Sequence, residues 1–400
     1  MSASRKLLVV ANPYPPMVSA GTARVVRFLR HLPEHGWEPT VLTARAKGTA
    51  PCPPGVRVIR APVLFPRRLL RGGPRSARIT RWICVPDPYV AWVGPAVCEG
   101  RRLLRTERFD AIFSSSPRPS VHLVAAALAG ISGLPWLADY RDPWLNYEYR
   151  TYATRLHRRA QAALESAVLR RADAVSAINQ SMLDDVVGRE PRLRGRAHVI
   201  PNGFDPAEAA DEVALGEGRW FVHTGRLYGR LPQTEAFLAA FAELPADTRM
   251  LFLGLEPAVI GPIVGKLGLA SRVAVRPFVP QRHSLGVQRA ADALVLIAGR
   301  QRETTTSKIF EYLSSGRPVF AVAPRESAVT DLLDEVGGGV SVPPGADLAP
   351  ALLAFDGAIR AGSSPSADMS ALAAYDVGVL TGRLVEVLDG LVGTTWRRAR

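Results

Sequence analysis

Short apolar runs alternate with helical patterns along almost the whole chain. In the first half the apolar runs occupy residues 7–11, 40–42, 56–59, 111–113, 134–138, 174–178 and 198–200. Several are followed by a helical pattern, as in GTARVVRFLRHL and SVHLVAAALAG. Because a strand, a helix and a second strand in this order build parallel βαβ units, the first half is predicted to be a parallel sheet covered by helices.

The same alternation starts again after a polar, acidic segment, IPNGFDPAEAADEVALGEG. Its apolar runs occupy residues 220–224, 250–253, 273–275, 293–297, 319–322 and 340–342. The sequence therefore predicts an α/β fold of two Rossmann-like domains with parallel sheets that face a central cleft. We place the first domain at residues 1–205 and the second at 206–375. The last helical pattern, about residues 376–392, either continues the second domain or packs back on the first.

The composition agrees with two globular domains. The chain has 400 residues, of which 47% are hydrophobic and 22% charged, as in ordinary globular proteins. No uninterrupted apolar stretch reaches the length of about 18 residues that predicts a membrane span, and KLLVVAN near the start indicates a first strand rather than a secretory signal. The three cysteines, Cys52, Cys84 and Cys98, lack the spacing of a metal site. We therefore expect a reduced, cytoplasmic protein without a bound metal.

Arginine gives the chain a formal net charge of +14. The densest basic segment is FPRRLLRGGPRSARITR, which carries Arg67, Arg68, Arg71, Arg75, Arg78 and Arg81. It has no interleaved aromatic residues for base stacking, so nucleic acid is disfavoured as a partner. An anionic membrane surface or an acidic acceptor would suit this charge, and a cytoplasmic protein with such a partner could lie on the inner face of the cell membrane. The alternative is a basic face without a specific partner.

The clearest chemical signal lies in ETTTSKIFEYLSSGRPVFA, residues 303–321. SKIFEYLSSG predicts a helix with Ser307 as its N-cap and Gly316 at its end. Four hydroxyl side chains stand at its start: Thr304, Thr305, Thr306 and Ser307. Hydroxyls and the free amides of a helix start suit a phosphate, and a lysine in the first turn is disfavoured by roughly 0.3–1 kcal/mol unless an anion is bound. The sequence thus predicts a nucleotide-sugar site in which Lys308 contacts the diphosphate, Glu311 the ribose and Glu303 the sugar.

A basic segment opens the predicted second domain. In WFVHTGRLYGRLPQTEAF a strand ends at Thr224, and Gly225, Arg226 and Arg230 precede a helix. Arginine makes bidentate, permanently charged contacts to phosphate. These three residues are therefore predicted to bind the diphosphate of the donor, and the alternative is a solvated surface charge.

Two loops of the first half follow predicted strands and offer contacts to a substrate. Gly21 lies in NPYPPMVSAGTARVV, before a helix, and is a donor-binding candidate because a ligand could approach the backbone there; the alternative is a turn that merely needs glycine. The segment SSSPRPSVH supplies Ser115, Ser116 and His122. These side chains either bind acceptor hydroxyls or belong to a simple helix cap.

A third loop of the first half, LADYRDPW, crowds charges at a strand end. Asp139, Arg141 and Asp142 stand together, and Trp144 follows them. Opposed charges so placed can orient one another and a substrate, and the rival interpretation is a structural ion-pair network. We take the three charged residues as catalytic candidates. The acceptor-binding candidates are Ser115, Ser116, His122 and Trp144.

Taken together and in this order, these motifs resemble the family-4 retaining glycosyltransferases of the GT-B fold. The spacing of Glu303 and Glu311 matches that family's E-x7-E motif, and EYLSSGRPVFA is similar to its helix, glycine and following strand. HTGR, HLPEHGWEPTVLT, ADYRDPW, ESAVLRRADAVSAIN and VIPNGFDP are similar to other segments of the family. The resemblance implies a nucleotide-diphosphate sugar as donor, bound mainly by the C-terminal domain, and an acceptor bound mainly by the N-terminal domain.

The resemblance also implies the mechanism. It indicates a hexosyltransferase that retains the anomeric configuration and uses no metal and no cofactor besides its donor; the sequence has no DxD motif for a catalytic metal. Arg226 and Lys308, with Arg230, would stabilise the leaving phosphate, which takes the acceptor's proton. Arg226, Lys308 and Glu303 therefore join the catalytic candidates.

Several positions depart from that family. ADYRDPW stands where many members carry a histidine near the donor sugar, threonines follow Glu303 where many have Phe-Gly or Pro-Gly, and Arg230 stands near a position often held by lysine. Three kinds of acceptor are expected from the resemblance: a glycan, a lipid-linked glycan used to build cell-surface polysaccharide or another glycoconjugate, or a small metabolite. A non-catalytic nucleotide-sugar-binding partner and a GT-B epimerase are the alternatives.

Overall fold

The computed structural model describes residues 4–17, 21–65, 74–146, 150–227, 230–298 and 307–398, without the side chains of residues 74–78 and 394–398. The chain divides into two compact units. The first consists of Met1–Pro201 and Val377–Arg400, and the second of Asn202–Asp376. The boundary drawn from the sequence, between residues 205 and 206, lies close to the point where the chain leaves the first unit.

The first domain is built on a seven-stranded parallel sheet of order β3-β2-β1-β4-β5-β6-β7. Its strands are β1 (Arg5–Ala11), β2 (Trp37–Ala44), β3 (Arg57–Ala61), β4 (Ala111–Ser115), β5 (Trp136–Tyr140), β6 (Ala174–Ala177) and β7 (Ala197–Val199). Its helices before the second domain are α1 (Ala23–His31), α2 (Pro74–Ile83), α3 (Val90–Thr106), α4 (Ser120–Ser132), α5 (Arg155–Arg171) and α6 (Gln180–Arg189). Two short 3-10 helices occupy Leu32–His35 and Pro191–Arg196.

Strand β1 shows why apolar runs identify these strands. Leu7, Leu8, Val9 and Val10 have no solvent exposure. Leu8 and Val10 pack in the core on one face of the sheet, and Leu7 and Val9 pack in the core on the other. Successive side chains of a strand point to opposite faces, so a strand covered on both faces needs an apolar residue at every position. An uninterrupted apolar run is therefore what a central parallel strand requires.

The second domain is built on a six-stranded parallel sheet of order β10-β9-β8-β11-β12-β13. Its strands are β8 (Arg219–Thr224), β9 (Thr248–Leu253), β10 (Val273–Arg276), β11 (Ala293–Ile297), β12 (Val319–Val322) and β13 (Gly339–Val342). Its helices are α7 (Leu231–Ala242), α8 (Pro257–Lys266), α9 (Gln281–Ala290), α10 (Lys308–Ser314), α11 (Ala328–Val336), α12 (Ala349–Arg360) and α13 (Met369–Leu372), with a 3-10 turn at Ala373–Tyr375. Separate apolar cores cover its two faces.

The last helix, α14 (Val377–Arg398), belongs to the first domain. Leu380, Leu384 and Leu388 recur every four residues along it and have no solvent exposure. This spacing places them on one face of the helix, where they share a core with Phe28 and Leu29 of α1. Of the two alternatives that the sequence left open for this segment, the structure shows a helix that packs back on the first domain.

The predicted α/β class, with two Rossmann-like domains of parallel strands, is confirmed. Every apolar run of the sequence overlaps a strand, and all described strand pairs are parallel. A cleft between the domains stays a prediction. Among the helices that the structure describes, none combines the length and the apolar character needed to cross a membrane.

Candidate active site

Apart from Gly21 of the first domain, the predicted donor residues that the structure describes lie at the carboxyl edge of the second sheet. Strands β8 and β11 are neighbours in that sheet, so the loop after β8 and helix α10, which follows β11, lie at the same edge. Lys308, the first residue of α10, donates from Nζ to the carbonyl oxygen of Arg226 at 3.3 Å, although the two residues are 82 positions apart. The fold thus joins two segments that the sequence singled out separately.

Gly225 makes room for this lysine. Its φ of +84° lies in the left-handed region, and a Cβ at this position would stand 2.7 Å from Cε and 3.0 Å from Nζ of Lys308. A side chain at residue 225 would therefore strain the backbone and displace the lysine. Gly225, which the sequence analysis assigned to phosphate binding, therefore has a structural role: it leaves the space through which Lys308 reaches the end of β8.

Lys308 and Arg230 concentrate positive charge at this edge. Burial lowers the pKa of Lys308 to about 7, the charge of Arg230 acts in the same direction, and Glu311 opposes both. Arg230 is only 6% exposed, and its Nη1 donates to the carbonyl oxygen of Ile297 at 2.8 Å. Its Nε has no hydrogen-bond partner among the described residues. Two partly desolvated cations in one place favour an anion beside them.

His223 is a member of this site that the sequence analysis missed. It is fully buried in β8, and its Nδ1 lies 2.9 Å from the carbonyl oxygen of Val295. Nδ1 must therefore carry the proton, which leaves Nε2 as an acceptor 3.5 Å from Nζ of Lys308. Burial and then the charge of Lys308 hold the pKa of His223 well below its ordinary value, so the imidazole is neutral and positions the lysine. Its place in the HTGR segment was the available signal.

Helix α10 is tied to the end of β8 by a second set of hydrogen bonds. The amide of Thr224 donates to the hydroxyl of Tyr312 at 2.8 Å, and Nε2 of Gln288 donates to Oγ1 of Thr224 at 3.2 Å. Burial raises the pKa of Tyr312 to about 12, so the phenol keeps its proton. Because Tyr312 and Lys308 lie on the same helix, these bonds fix the lysine relative to the sheet.

Glu311 follows Lys308 by three residues and lies on the same side of α10. Its Oε1 accepts a hydrogen bond of 3.1 Å from Nε2 of Gln281, on α9. Ser307 directly precedes the helix, as predicted, but its side chain makes no capping bond. The position of Glu311 beside Lys308 suits the predicted ribose contact, which stays a prediction.

Other predicted donor contacts stay predictions as well. Glu303, Thr304, Thr305 and Thr306 lie outside the described residues. Arg226 is exposed, and its carbonyl oxygen meets Lys308. Within the part of the chain that the structure describes, no group of three or more His, Cys, Asp and Glu side chains is arranged to hold a metal ion.

Asp139 of the first domain is a buried structural residue. It has no solvent exposure, and its two oxygens accept hydrogen bonds of 2.9 and 3.1 Å from Arg24. The hydroxyls of Ser115 and Ser176 donate to it at 2.6 and 2.8 Å. Burial would raise the pKa of Asp139, but the ion pair and the hydrogen bonds hold the pKa below its ordinary value. These contacts give the carboxylate a structural role inside the domain, and its predicted catalytic role stays a prediction.

Arg24 explains why this ion pair exists. From α1 it also donates to the carbonyl oxygens of Ile200 and Pro201, each at 2.7 Å. These are the residues at which the chain leaves the first domain. The structural network that the sequence left as the alternative is therefore present at Asp139. An arginine on the same face of α1 as the buried Phe28 was the signal that could have identified it.

Ser115 and Ser116 are buried and are used within the domain. Ser115 donates to Asp139, and Oγ of Ser116 accepts from the amide of Arg141 at 2.9 Å. Both have at most 4% of their surface exposed. These hydroxyls secure the carboxyl ends of β4 and β5, and their predicted acceptor contacts stay predictions.

His122 and Trp144 belong to the core of the first domain. Nδ1 of His122 lies 2.8 Å from Oγ of Ser114, the ring stacks on Tyr140 at 4.9 Å, and burial lowers the pKa of His122 to about 4. Trp144 is 2% exposed and donates from Nε1 to Oε1 of Gln161 at 2.7 Å. Both side chains are buried in the described structure, and their predicted acceptor contacts stay predictions.

Arg141 and Asp142 are the more accessible catalytic candidates of the first domain. They follow β5 directly, their side chains are 15% and 26% exposed, and Nη2 of Arg141 lies 4.0 Å from Oδ2 of Asp142. Gly21 is buried just before α1, and its predicted contact with a ligand stays a prediction. Partly exposed charge at the carboxyl edge of a parallel sheet is suitably placed for a substrate.

Comparison with known proteins connects this architecture to glycosyltransferases. Residues 19–203 match the family model described as the glycosyl transferase 4-like domain. No curated protein sequence shows significant similarity to the chain. The family match lies in the first domain and supports the resemblance drawn from the motifs.

Solved structures resemble the chain over nearly its whole length. Anabaena Alr3699/HepE in complex with UDP-glucose has a TM-score of 0.67 at 17% identity, covering 96% of this chain and 100% of that one. Sucrose-phosphate synthase from Thermosynechococcus elongatus has a TM-score of 0.63 at 17% identity and covers 99% of both chains. AviGT4, a glycosyltransferase involved in avilamycin A biosynthesis, has a TM-score of 0.56 at 17% identity and covers 97% and 98%. The chain has the GT-B fold of these proteins, and the predicted resemblance is confirmed.

Proposed function

We propose that this GT-B chain, whose N-terminal half matches the glycosyl transferase 4-like domain, is a glycosyltransferase that uses a nucleotide-diphosphate sugar. The observation that carries the proposal is Lys308, a half-buried lysine whose pKa is lowered to about 7 at the carboxyl edge of the second sheet. Gly225 clears its path, His223 positions it, and Arg230 adds a second cation. A diphosphate is the anion that such an edge suits best.

The donor sits with its diphosphate at Lys308 and Arg230. The exposed guanidinium of Arg226 can reach the same phosphates from the loop after β8. Glu311 accepts from the ribose hydroxyls, and Glu303 contacts the hexose. The complex of the neighbouring HepE protein with UDP-glucose supports a nucleotide sugar as donor.

Transfer is proposed to retain the anomeric configuration and to need no metal. The bond between the anomeric carbon and the phosphate oxygen breaks, the acceptor oxygen bonds to that carbon on the same face, and the acceptor proton passes to the leaving phosphate. Negative charge grows on that phosphate as the bond breaks, so the two cations contribute most in the transition state. Preorganised cations in a partly desolvated site supply the charge that a metal would otherwise supply.

The acceptor is proposed to bind the first domain at the carboxyl edge that carries Arg141 and Asp142. A hydroxyl of a glycan, as in cell-surface polysaccharide biosynthesis, fits the basic chain. The likeness to AviGT4 supports a small secondary metabolite as the second candidate. Three free cysteines support a reducing, cytoplasmic location.

A thermal-shift screen against UDP-, GDP-, dTDP- and ADP-sugars tests the donor site. A ligand that binds the folded state at 100 times its Kd stabilises it by about 2.7 kcal/mol. We expect at least one nucleotide sugar to raise the Tm of the wild type and of Lys266→Ala, an exposed lysine of the same domain. Lys308→Ala should lose the shift.

Two results would contradict this site. An equal shift in Lys308→Ala would move the diphosphate elsewhere, and no shift with any nucleotide sugar would remove the donor class. Binding without sugar transfer to any acceptor or to water would favour a non-catalytic binding partner. Transfer that is abolished by EDTA and restored by a divalent ion would overturn the metal-free mechanism.

A further inference from the structure

One surface of the first domain combines exposed apolar side chains with unbalanced positive charge. It is formed by the last turns of α2 and the first turns of α5, and we call it the α2–α5 surface. Its apolar members are Ile79, Trp82, Ile83 and Leu156, and their exposures are 46%, 52%, 60% and 73%. Large apolar side chains clustered at a protein surface mark a contact with a membrane or with another molecule.

The two helices are joined at this surface. The rings of Trp82 and His157 meet edge to face with their centroids 5.6 Å apart, and Nε2 of His157 lies 3.0 Å from the carbonyl oxygen of Trp82. A hydrogen bond of 3.0 Å runs from Nη1 of Arg81 to Oγ1 of Thr151. These contacts bring the end of α2 against the start of α5, so the exposed side chains of the two segments lie in one region of the surface.

The two segments that form this surface carry charge of a single sign. Four exposed arginines belong to it, namely Arg81, Arg155, Arg158 and Arg159. The segments that form it, residues 74–84 and 150–164, contain no aspartate and no glutamate. A solvated protein face usually carries both signs of charge, so the absence of acidic residues here selects for an anionic partner.

We infer that the α2–α5 surface docks on an anionic lipid bilayer. Tryptophan lies preferentially at the membrane–water interface, where its amphipathic ring sits at the level of the headgroups. Isoleucine and leucine beside it can enter the acyl boundary, while arginines bind anionic headgroups through their guanidinium groups. The surface offers this combination on the domain that is proposed to bind the acceptor.

This inference relocates the membrane contact that the sequence suggested for residues 67–81. Arg67, Arg68 and Arg71 lie outside the described residues, and the side chains of Arg75 and Arg78 are not described. The structure adds what the charge count could not show, which is the exposed apolar cluster and the arginines of α5. Docking on lipid does not depend on the proposed sugar transfer, because it is measured without donor or acceptor.

Co-sedimentation with vesicles tests the inference. We expect the wild type to bind vesicles of phosphatidylcholine mixed with phosphatidylglycerol, and to bind phosphatidylcholine alone far more weakly. Since each basic residue near an anionic surface contributes about 1 kcal/mol, Arg155→Ser/Arg158→Ser/Arg159→Ser should weaken binding by roughly 100-fold. The matched control is Arg101→Ser/Arg102→Ser/Arg105→Ser, three exposed arginines of α3 in the same domain, which should bind within about threefold of the wild type.

A second variant separates the apolar contribution from the charge. Ile83→Gln/Leu156→Gln changes two exposed side chains and should weaken binding while the remaining dependence on salt persists, because the arginines are still screened by ions. Unchanged binding in either variant, or equal binding to neutral and anionic vesicles, would overturn the inference. So would a dimer in solution that Ile83→Gln/Leu156→Gln dissociates, since the patch would then be an interface between two copies of the chain.

Discussion

At the scale of single residues, the diphosphate contact proposed for Lys308 predicts that donor binding is linked to proton uptake. Burial and the nearby Arg230 lower the pKa of this lysine to about 7, from about 10.4 in an unperturbed lysine. A diphosphate beside Lys308 favours the ammonium form and therefore raises this pKa. Between about pH 7 and about pH 10, donor binding should take up a proton, and donor affinity should fall as pH rises through this window.

Calorimetric titration in two buffers of different ionisation enthalpy measures that uptake. We expect it in the wild type and not in Lys308→Arg, whose guanidinium stays charged. In the free protein, unfolding also takes up a proton, because the lysine regains its ordinary pKa. The unfolded lysine holds its proton more tightly, so the free energy of unfolding should rise between about pH 7 and about pH 10 relative to Lys308→Met. Equal proton uptake in Lys308→Arg would assign the proton to another group.

Asp139 permits an equally direct test of a structural role. Asp139→Asn leaves the buried guanidinium of Arg24 without its counter-charge, and losing one partner of a buried pair costs about 3–5 kcal/mol. Asp142→Asn changes a partly exposed carboxylate and should cost less than about 1 kcal/mol. Urea unfolding of the two variants compares these losses. If Asp139→Asn unfolded like the wild type but no longer transferred sugar, Asp139 would belong to the chemistry after all.

At the scale of secondary structure elements, the strands were predictable from the sequence. Whether the charged side chains that follow them are buried or exposed was not. A parallel strand covered on both faces must be apolar at every position, and runs such as residues 7–11 and 293–297 carry that signal locally. The helix after residue 307 was predictable for a similar reason, because its stop glycine and its apolar spacing are adjacent in sequence.

Burial of a polar side chain depends on residues far away in sequence. Asp139 and Arg141 are charged residues two positions apart, and nothing local in the sequence indicates which of them is buried. Arg24, 115 positions from Asp139, pairs with the aspartate and buries it. His223 was missed because its role depends on Lys308, 85 positions later. Lys308 could be singled out from the sequence because an ammonium at a helix start is locally unfavourable, whereas a buried ion pair leaves no such local signal.

At the scale of the whole molecule, the last helix of the chain completes the core of the first domain. Helix α14 returns after the second domain, and Leu380, Leu384 and Leu388 fill the core beside α1. Nε1 of Trp37, at the start of β2, donates to Oδ1 of Asp389 at 3.0 Å. The stability of the first domain therefore depends on residues that follow the second domain in sequence.

Leu384→Ala tests this dependence. Deleting a fully buried leucine side chain costs about 2–5 kcal/mol, because the lost burial is followed by an unfilled cavity, whereas Val379→Ala at a site that is 48% exposed should cost less than about 0.5 kcal/mol. Hydrogen exchange read by mass spectrometry reports each domain separately. We expect Leu384→Ala to speed exchange in β1 and α1 and to leave β8 and β11 as in the wild type. Faster exchange in β8 and β11, with β1 and α1 unchanged, would show that α14 supports the second domain instead.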